Sequence, residues 1–435
     1  MRTFRFGTPE SNEAVRALCS RFESPDLASL ETAVREILRR VQTRGDDALL
    51  EYTAQWDGVR LGRSELEVPP ESLDRALDTL DPDSRDCLQF AAERIRRFHE
   101  HQKQTSWEVV DETGSLMGQR ISPLDRVGVY VPGGRAAYPS SLLMNVLPAK
   151  VAGVASIFVV TPPGGERAHP AVLAAARLAG VDRVFRVGGA QAIGALAFGT
   201  ATIPAVDKIV GPGNLYVATA KRLVFGKVDI DMVAGPSEVL IVTDGHADPV
   251  HLAADLLAQA EHDPQALPLL VSTSSGFLAD VLAELERQKS LGPWEQTASA
   301  AVRNNGRAFL VRDLDEALEL VNTIAPEHLE LAVRDPVSLS AGVRHAGAIF
   351  LGCESPETLG DYVAGPNHVL PTMGTARFSS PLGVYDFVKR TSVIRMSPQG
   401  LSELGPWAAR LARMEGLHAH AHAVEVRMRR QSVET

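Results

Sequence analysis

Cysteine is scarce. Cys19, Cys87 and Cys353 are the only three in 435 residues, an odd count with no close pairing. That excludes a secreted disulfide framework and a thiolate metal cluster, and fits a reducing cytoplasm. Long apolar runs are missing too. The most apolar stretch, around Leu142 to Val160, is interrupted by Asn145, Pro148 and Lys150, and the basic start MRTFRFGTPE carries no apolar segment. Neither a membrane span nor a signal peptide is expected. Lys and Arg form no long runs and net charge is −10, so the electrostatic attraction that drives nucleic-acid binding is absent and a small-molecule substrate is favoured. Also absent is a G-x-G-x-x-G fingerprint.

What is present is the composition of a folded globular chain, 45% apolar and 23% charged, long enough for two or more α/β units. The first 105 or so residues read as helices. Leu30, Val34, Ile37, Leu38 and Val41 recur at helical spacing, and so do Cys87, Phe90, Ala91, Ile95 and Phe98. From about residue 126, short β-rich runs alternate with helical stretches: VGVYV, SIFVVT, RVFRV and KIV. A second set follows with EVLIVTD, LPLLVST, AFLV and AIFLG. Such alternation is the pattern of βαβ units, so two mostly parallel sheets are expected. After about residue 382 the chain again reads as helical and charged, in a tail too short for a core of its own.

Several segments carry candidate chemistry. The glycine-rich stretches VYVPGG (129–134), VGGAQAIGALAFG (187–199) and VGPGNLY (210–216) each stand where a strand gives way to a helix. Their backbone N–H groups suit an anion such as a phosphate, although tight βα turns need glycine as well. In LAQAEHDP, Gln259 and His262 stand three apart near a helix end and can meet one ion; a polar helix end is the plain alternative. In NTIAPEHLEL, Pro326 should end a helix and start a short strand, presenting Glu327 and His328 as a neighbouring acid and imidazole for two proton transfers, or as an exposed acidic turn. GDYVAGPNHVLPT (360–372) puts Asp361 and His368 in a long Gly/Pro-punctuated loop. In EGLHAHAHAV, Glu415 precedes three histidines. His418 and His422 would share a helix face with His420 on the other, so periodicity alone favours the outer pair as ligands, and a solvated His-rich terminus is the alternative.

Taken together and in order, from about residue 30 to 427, these segments resemble the histidinol dehydrogenase family, as do RVGVYVPGG and DMVAGPSEVLIVTD. The resemblance implies an α/β fold of two Rossmann-like parallel-sheet domains with helical N-terminal and C-terminal extensions. The expected layout is an N-terminal helical extension over 1–25 and a discontinuous α/β domain over 26–129 and 238–381 carrying most metal and catalytic residues. An NAD-binding domain over 130–237 and a C-terminal helical tail over 382–435, crossing to a partner subunit, complete it.

By the same resemblance, one zinc ion is held by Gln259, His262, Asp361 and His420. The motif EGLxAHxxAV selects His420 against the face argument, and the flanking His418 and His422 are departures that leave the rest of the motif in register. The implied reaction is two successive hydride transfers to NAD, taking L-histidinol through the aldehyde to L-histidine. His328 is the implied base for the alcohol proton, and Glu327 the group that activates water. Ser237, His368 and Glu415 match substrate-holding positions, and Tyr130, Gln191 and Asn214 match NAD contacts. The family's homodimer, with the tail completing the partner's site, implies an inactive monomer. Three other readings stay open: a related zinc and NAD enzyme acting on another polar alcohol such as a sulfonated diol, a zinc hydrolase, and a non-catalytic metal-stabilised binder. The carboxylate of Glu415 suits a cationic amine and speaks against an anionic diol.

Overall fold

A computed structural model describes residues 1–21, 27–133, 137–164 and 169–431. The expected boundary at 25/26 and Gly134 of the first glycine-rich turn lie outside them. The strands run in chain order as β1 (Arg2–Arg5), β2 (Trp107–Val110), β3 (Leu116–Pro123), β4 (Arg126–Tyr130) and β5 (Ser156–Thr161). Next come β6 (Arg183–Arg186), β7 (Lys208–Val210), β8 (Asp229–Ile230), β9 (Glu238–Thr243) and β10 (Leu267–Ser272). Last are β11 (Arg307–Leu310), β12 (His328–Ala332), β13 (Ala348–Leu351) and β14 (Val388–Arg395). They form two parallel sheets and one small antiparallel sheet.

The chain divides into two compact units, the larger made of Met1–Gln102 and Asp125–Phe387. It holds both parallel sheets, and the expected α/β class is the observed one. In the five-stranded sheet the order is β6-β5-β4-β7-β8. The chain starts in the middle at β4, runs outward one way and returns to the other side of β4, which leaves a crevice at the carboxyl ends of β4 and β7. The six-stranded sheet, β1-β11-β10-β9-β12-β13, repeats the plan around β9. Every residue of β9, β10 and β12 is buried, as expected when helices cover both faces of a parallel sheet.

Several expectations change. Residues 2–5 pair with β11 as the edge of the six-stranded sheet, so the N-terminal segment is strand as well as helix. The division at 129/130 falls inside β4, which pairs with β5 and β7. The early helix Leu27–Arg44 packs its face of Val34, Ile37, Leu38 and Val41 on the core of the five-stranded sheet, beside Ile193 and Leu196. In the helix Pro82–Glu100 the buried stripe is Ala91, Ala92, Ile95 and His99, while Cys87, Phe90 and Phe98 are exposed.

The smaller unit comprises Lys103–Leu124 and the chain from Val388 onward. Here β14 lies antiparallel on β3 from Val388↔Pro123 to Arg395↔Leu116, and β2 pairs with the other edge of β3. Residues 103–124 therefore belong with the C-terminal tail, and the tail begins with a strand instead of being helical throughout. Its helices are Pro398–Met414 and His418–Gln431.

Candidate active site

The larger unit places Glu327 and His328 at the amino end of β12. The helix Leu314–Ile324 ends there, Ala325 turns the backbone at φ 53, and Pro326 leads into Glu327. A left-handed conformation in a residue bearing a Cβ costs about 1–3 kcal/mol and is found where the surrounding structure holds the backbone in place. The hold comes from neighbouring strands. Val239 of β9 stands opposite His328, and Ala348 of β13 stands on the other side. The amides of Gly347 and Ala348 donate to the carbonyls of Pro326 and Glu327.

Glu327 and His328 are 5% and 3% exposed, so both depend on protein partners for polar contact. Glu327 Oε2 accepts from the Glu238 amide at 2.8 Å, and His328 Nδ1 donates to the Glu238 carbonyl at 3.0 Å. A carbonyl only accepts, so this bond puts the proton of a neutral imidazole on Nδ1 and leaves Nε2 as the basic nitrogen. Nε2 is buried, lacks a hydrogen-bond partner, and stands 3.6 Å from Asp361 Oδ1. Around Nδ1 lie Glu327 Oε2 and Glu357 Oε2, each at 3.7 Å.

Burial pushes the Glu327 carboxyl up to about 8, only partly opposed by the neighbouring imidazole. His328 moves upward as well. Burial opposes its charge, but Glu327, Asp361 and Glu357 together raise it well above the ordinary imidazole range. For Asp361, burial is outweighed by His328, His368 and His262, which hold its carboxyl below the usual carboxylate range. Asp361 is thereby kept ionised, while Glu327 and His328 are stronger bases than the free side chains, an arrangement suited to moving protons.

Asp361 is in the helix Glu357–Tyr362 and not in the loop expected for it. The loop that follows folds back so that His368 Nδ1 donates to the Asp361 carbonyl at 2.8 Å. His328, Asp361 and His368 line a cavity of about 390 Å³ together with Phe350 and Asn367. Gln259 lies in the last turn of the helix Pro249–Ala260, and its amide nitrogen is 3.1 Å from His262 Nδ1. Gln259 Oε1 is then buried without a partner, the kind of orphan that a cation would satisfy. Among the described residues no group of three or more His, Cys, Asp and Glu could hold a metal. The larger unit offers His262 and Asp361 plus an amide oxygen, a nitrogen and oxygen set that fits zinc but leaves a position open. Ser237 immediately precedes β9, and its carbonyl accepts from the Leu267 amide.

His420 and Glu415 belong to the smaller unit and are exposed, as are His418 and His422. The helix His418–Gln431 puts His418 and His422 one turn apart, as expected.

The residues expected to contact a dinucleotide gather at the carboxyl ends of the five-stranded sheet. The Tyr130 hydroxyl accepts from the Gly189 amide at 3.1 Å. Gln191, in the first turn of the helix Gly189–Phe198, has a buried Oε1 without a partner. Asn214 caps the helix Leu215–Val224, accepting from the amides of Tyr216 and Val217. Gly211 sits between β4 and this cap at φ +112, where an added Cβ would stand 2.1 Å from the Tyr130 carbonyl oxygen. Only glycine fits that approach. A crevice at the switch point, a helix N-terminus and an orphaned amide suit a pyrophosphate-bearing cofactor.

Three residues of the site carried no sequence signal. Glu357 ends up beside His328 by way of a separate helix. Glu330, on β12, accepts from the Glu357 amide at 2.8 Å. Glu238 looks in sequence like any strand residue, and its contribution comes from its backbone.

Comparison with known proteins agrees along the whole chain. A sequence-family model described as histidinol dehydrogenase matches residues 21–428. The histidinol dehydrogenase of Syntrophotalea carbinolica is 52% identical over 430 residues, covering 99% of each chain. That of Ralstonia nicotianae is 54% identical over 419 residues, covering 95% of each. The crystal structure of histidinol dehydrogenase from Elizabethkingia anophelis superposes with a TM-score of 0.93 at 34% identity, covering 100% of this chain and 99% of that one. The chain belongs to the histidinol dehydrogenase family.

Proposed function

We propose that the protein is a zinc-containing, NAD-dependent histidinol dehydrogenase that oxidises L-histidinol through L-histidinaldehyde to L-histidine. The observation that carries the reading is the buried Glu327–His328 pair, held on one backbone residue with an unpaired His328 Nε2 facing Asp361. When bound, zinc supplies a fixed positive centre for the amine and imidazole nitrogens of the substrate, and NAD supplies the acceptor for the hydride of each oxidation. Gln259, His262 and Asp361 would hold the metal, with His420 as the fourth donor. Tyr130, Gln191 and Asn214 would hold the cofactor.

The chain's own residues then divide the proton work. His328 Nε2 takes the alcohol proton while its Nδ1–H stays fixed on the Glu238 carbonyl. The Glu327 carboxylate, made a stronger base by burial, takes a proton from the water that attacks the aldehyde, so that the hydrate can be oxidised in turn. Ser237 and His368 orient the substrate, and Glu415 faces its cationic amine. A buried site also limits loss of the aldehyde between the two steps. We further propose a cytoplasmic homodimer in which the tail supplies Glu415 and His420 to the partner's site; no helix among the described residues is long and apolar enough to cross a membrane.

The test is NADH absorbance with L-histidinol and NAD as the only substrates. About two equivalents of NADH per histidinol, lost on chelation and restored by zinc, are expected. Hydrolysis of an ester or amide without NADH formation would replace this reading with that of a zinc hydrolase.

A further inference from the structure

Glu327 and His328 hang on the backbone of one residue, Glu238, through its amide at 2.8 Å and its carbonyl at 3.0 Å. Pairing within β9 and its neighbours holds the Glu238 backbone, and its side chain is held by a residue more than two hundred positions earlier. Arg21 lays its guanidinium on the Glu238 carboxylate, Nε to Oε1 at 2.7 Å and Nη2 to Oε2 at 2.8 Å, with side chains 14% and 2% exposed. The Met373 amide donates to the same Oε1 at 2.8 Å. The guanidinium also donates to the carbonyls of Leu18 and Ile324, the latter at 3.5 Å. Ile324 ends the helix that turns through Ala325 into Glu327. The segment that carries the acid and the imidazole and the strand residue that anchors them are thus both tied to one side chain.

We infer that Arg21 is a positioning residue for the Glu327–His328 pair, acting through Glu238 and the carbonyl of Ile324. The inference rests on reading that pair as the proton-transfer groups of the reaction. A planar fork with several donors can grip two carboxylate oxygens and two carbonyls together, whereas a lysine ammonium is a point charge that cannot reproduce the set. Among the described residues, Arg21 touches none of those assigned to metal, substrate or cofactor; only Ser237 among them adjoins Glu238 in the chain, and its carbonyl is held separately by the Leu267 amide. Loosening Arg21 should therefore misplace the reacting groups while leaving binding nearly unchanged.

The experiment is steady-state kinetics of the full-length protein carrying Arg21→Ala, Arg21→Lys or Glu238→Gln, with His328→Ala as reference. A misplacement near 1 Å costs about 100-fold in rate, so Arg21→Ala should lose about that in kcat while KM for histidinol and NAD stays within about threefold. Arg21→Lys should recover only part of the loss. Arg21 lines a cavity of about 650 Å³ with Arg2, Glu10, Glu238 and Arg307, so a free guanidinium ion can enter. Millimolar guanidinium should restore part of the activity of Arg21→Ala and none to His328→Ala. Wild-type kcat in Arg21→Ala, or a loss that follows only the folded fraction, overturns the inference. If Arg21→Ala does not fold, Arg21→Lys and Glu238→Gln decide: a loss confined to kcat supports the inference and wild-type kcat in both overturns it. Retained activity in His328→Ala would remove the reading of the pair itself. An inactive His328→Ala beside unimpaired Arg21 variants would remove only the inference.

Discussion

Replacing Lys221 with Met should loosen, from behind, the crevice at the carboxyl ends of β4 and β7. Lys221 and Asp231 form an ion pair in which the side chains are 2% and 1% exposed. Between them they hold both polar atoms of Gly211, Lys221 Nζ donating to its carbonyl at 2.9 Å and Asp231 Oδ2 accepting from its amide at 2.8 Å. Met keeps the length and apolar stem of Lys but leaves Asp231 as a buried, unpaired carboxylate. Removing one partner of a buried pair costs about 3–5 kcal/mol. With an unfolding entropy of about 2.1 cal/mol/K per residue, a chain of this length should lose about 3–5 °C in Tm. Because Gly211 sets the turn into Asn214, KM for NAD should rise as well. The double variant Lys221→Met with Asp231→Asn should regain most of the stability, since the amide oxygen still accepts from Gly211 and no charge is buried. Thermal unfolding by intrinsic fluorescence, with NADH kinetics on the same samples, tests this. A single variant within about 1 kcal/mol of wild type, or a double variant no better than the single, refutes the reasoning.

Burial lowers the pKa of His99 from 6.5, opposed by the backbone of Ile95 and Leu382. The unfolded chain then takes up the proton first on acidification. The His99 contribution is intact above about pH 6.5 and declines as pH falls through the lowered folded value, so Tm of the wild type should drop toward about pH 5.5 more steeply than that of His99→Gln. Glu327→Gln should block water activation while sparing the first oxidation, so NADH released per histidinol should fall from about two toward about one, read by end-point absorbance. If the tail completes the partner's site, refolding His328→Ala and His420→Ala chains together should restore about a quarter of wild-type activity, because mixed dimers regain one whole site; each variant refolded alone should stay inactive.

The parallel sheets were legible because buried parallel strands write themselves as apolar runs: EVLIVT and LPLLVS became β9 and β10 with every residue buried. The small antiparallel sheet was not. Its strand VKRTSVIR is largely exposed, so no buried apolar run marks it among the charged residues around it. Pro326 correctly marked the break before His328, since a local rule governs it. The Asp361 helix spans only Glu357–Tyr362, too short for a periodic pattern to declare it. Arg21, Glu238 and Glu357 were silent for a different reason. Arg21 acts through a pairing across more than two hundred residues, Glu238 through its backbone, and Glu357 from a separate short helix, and none of these leaves a local trace. The glycine-rich turns lacked a standard fingerprint, yet the switch-point geometry brings them together at one sheet end.

The proposed zinc site takes three donors from the larger unit and a fourth, His420, from the tail. Zinc per chain, measured after gel filtration for the wild type and for His420→Ala, addresses this most directly. About one zinc per wild-type chain and a large loss in His420→Ala are predicted. Undiminished zinc in the variant, or none in an active wild type, would contradict it.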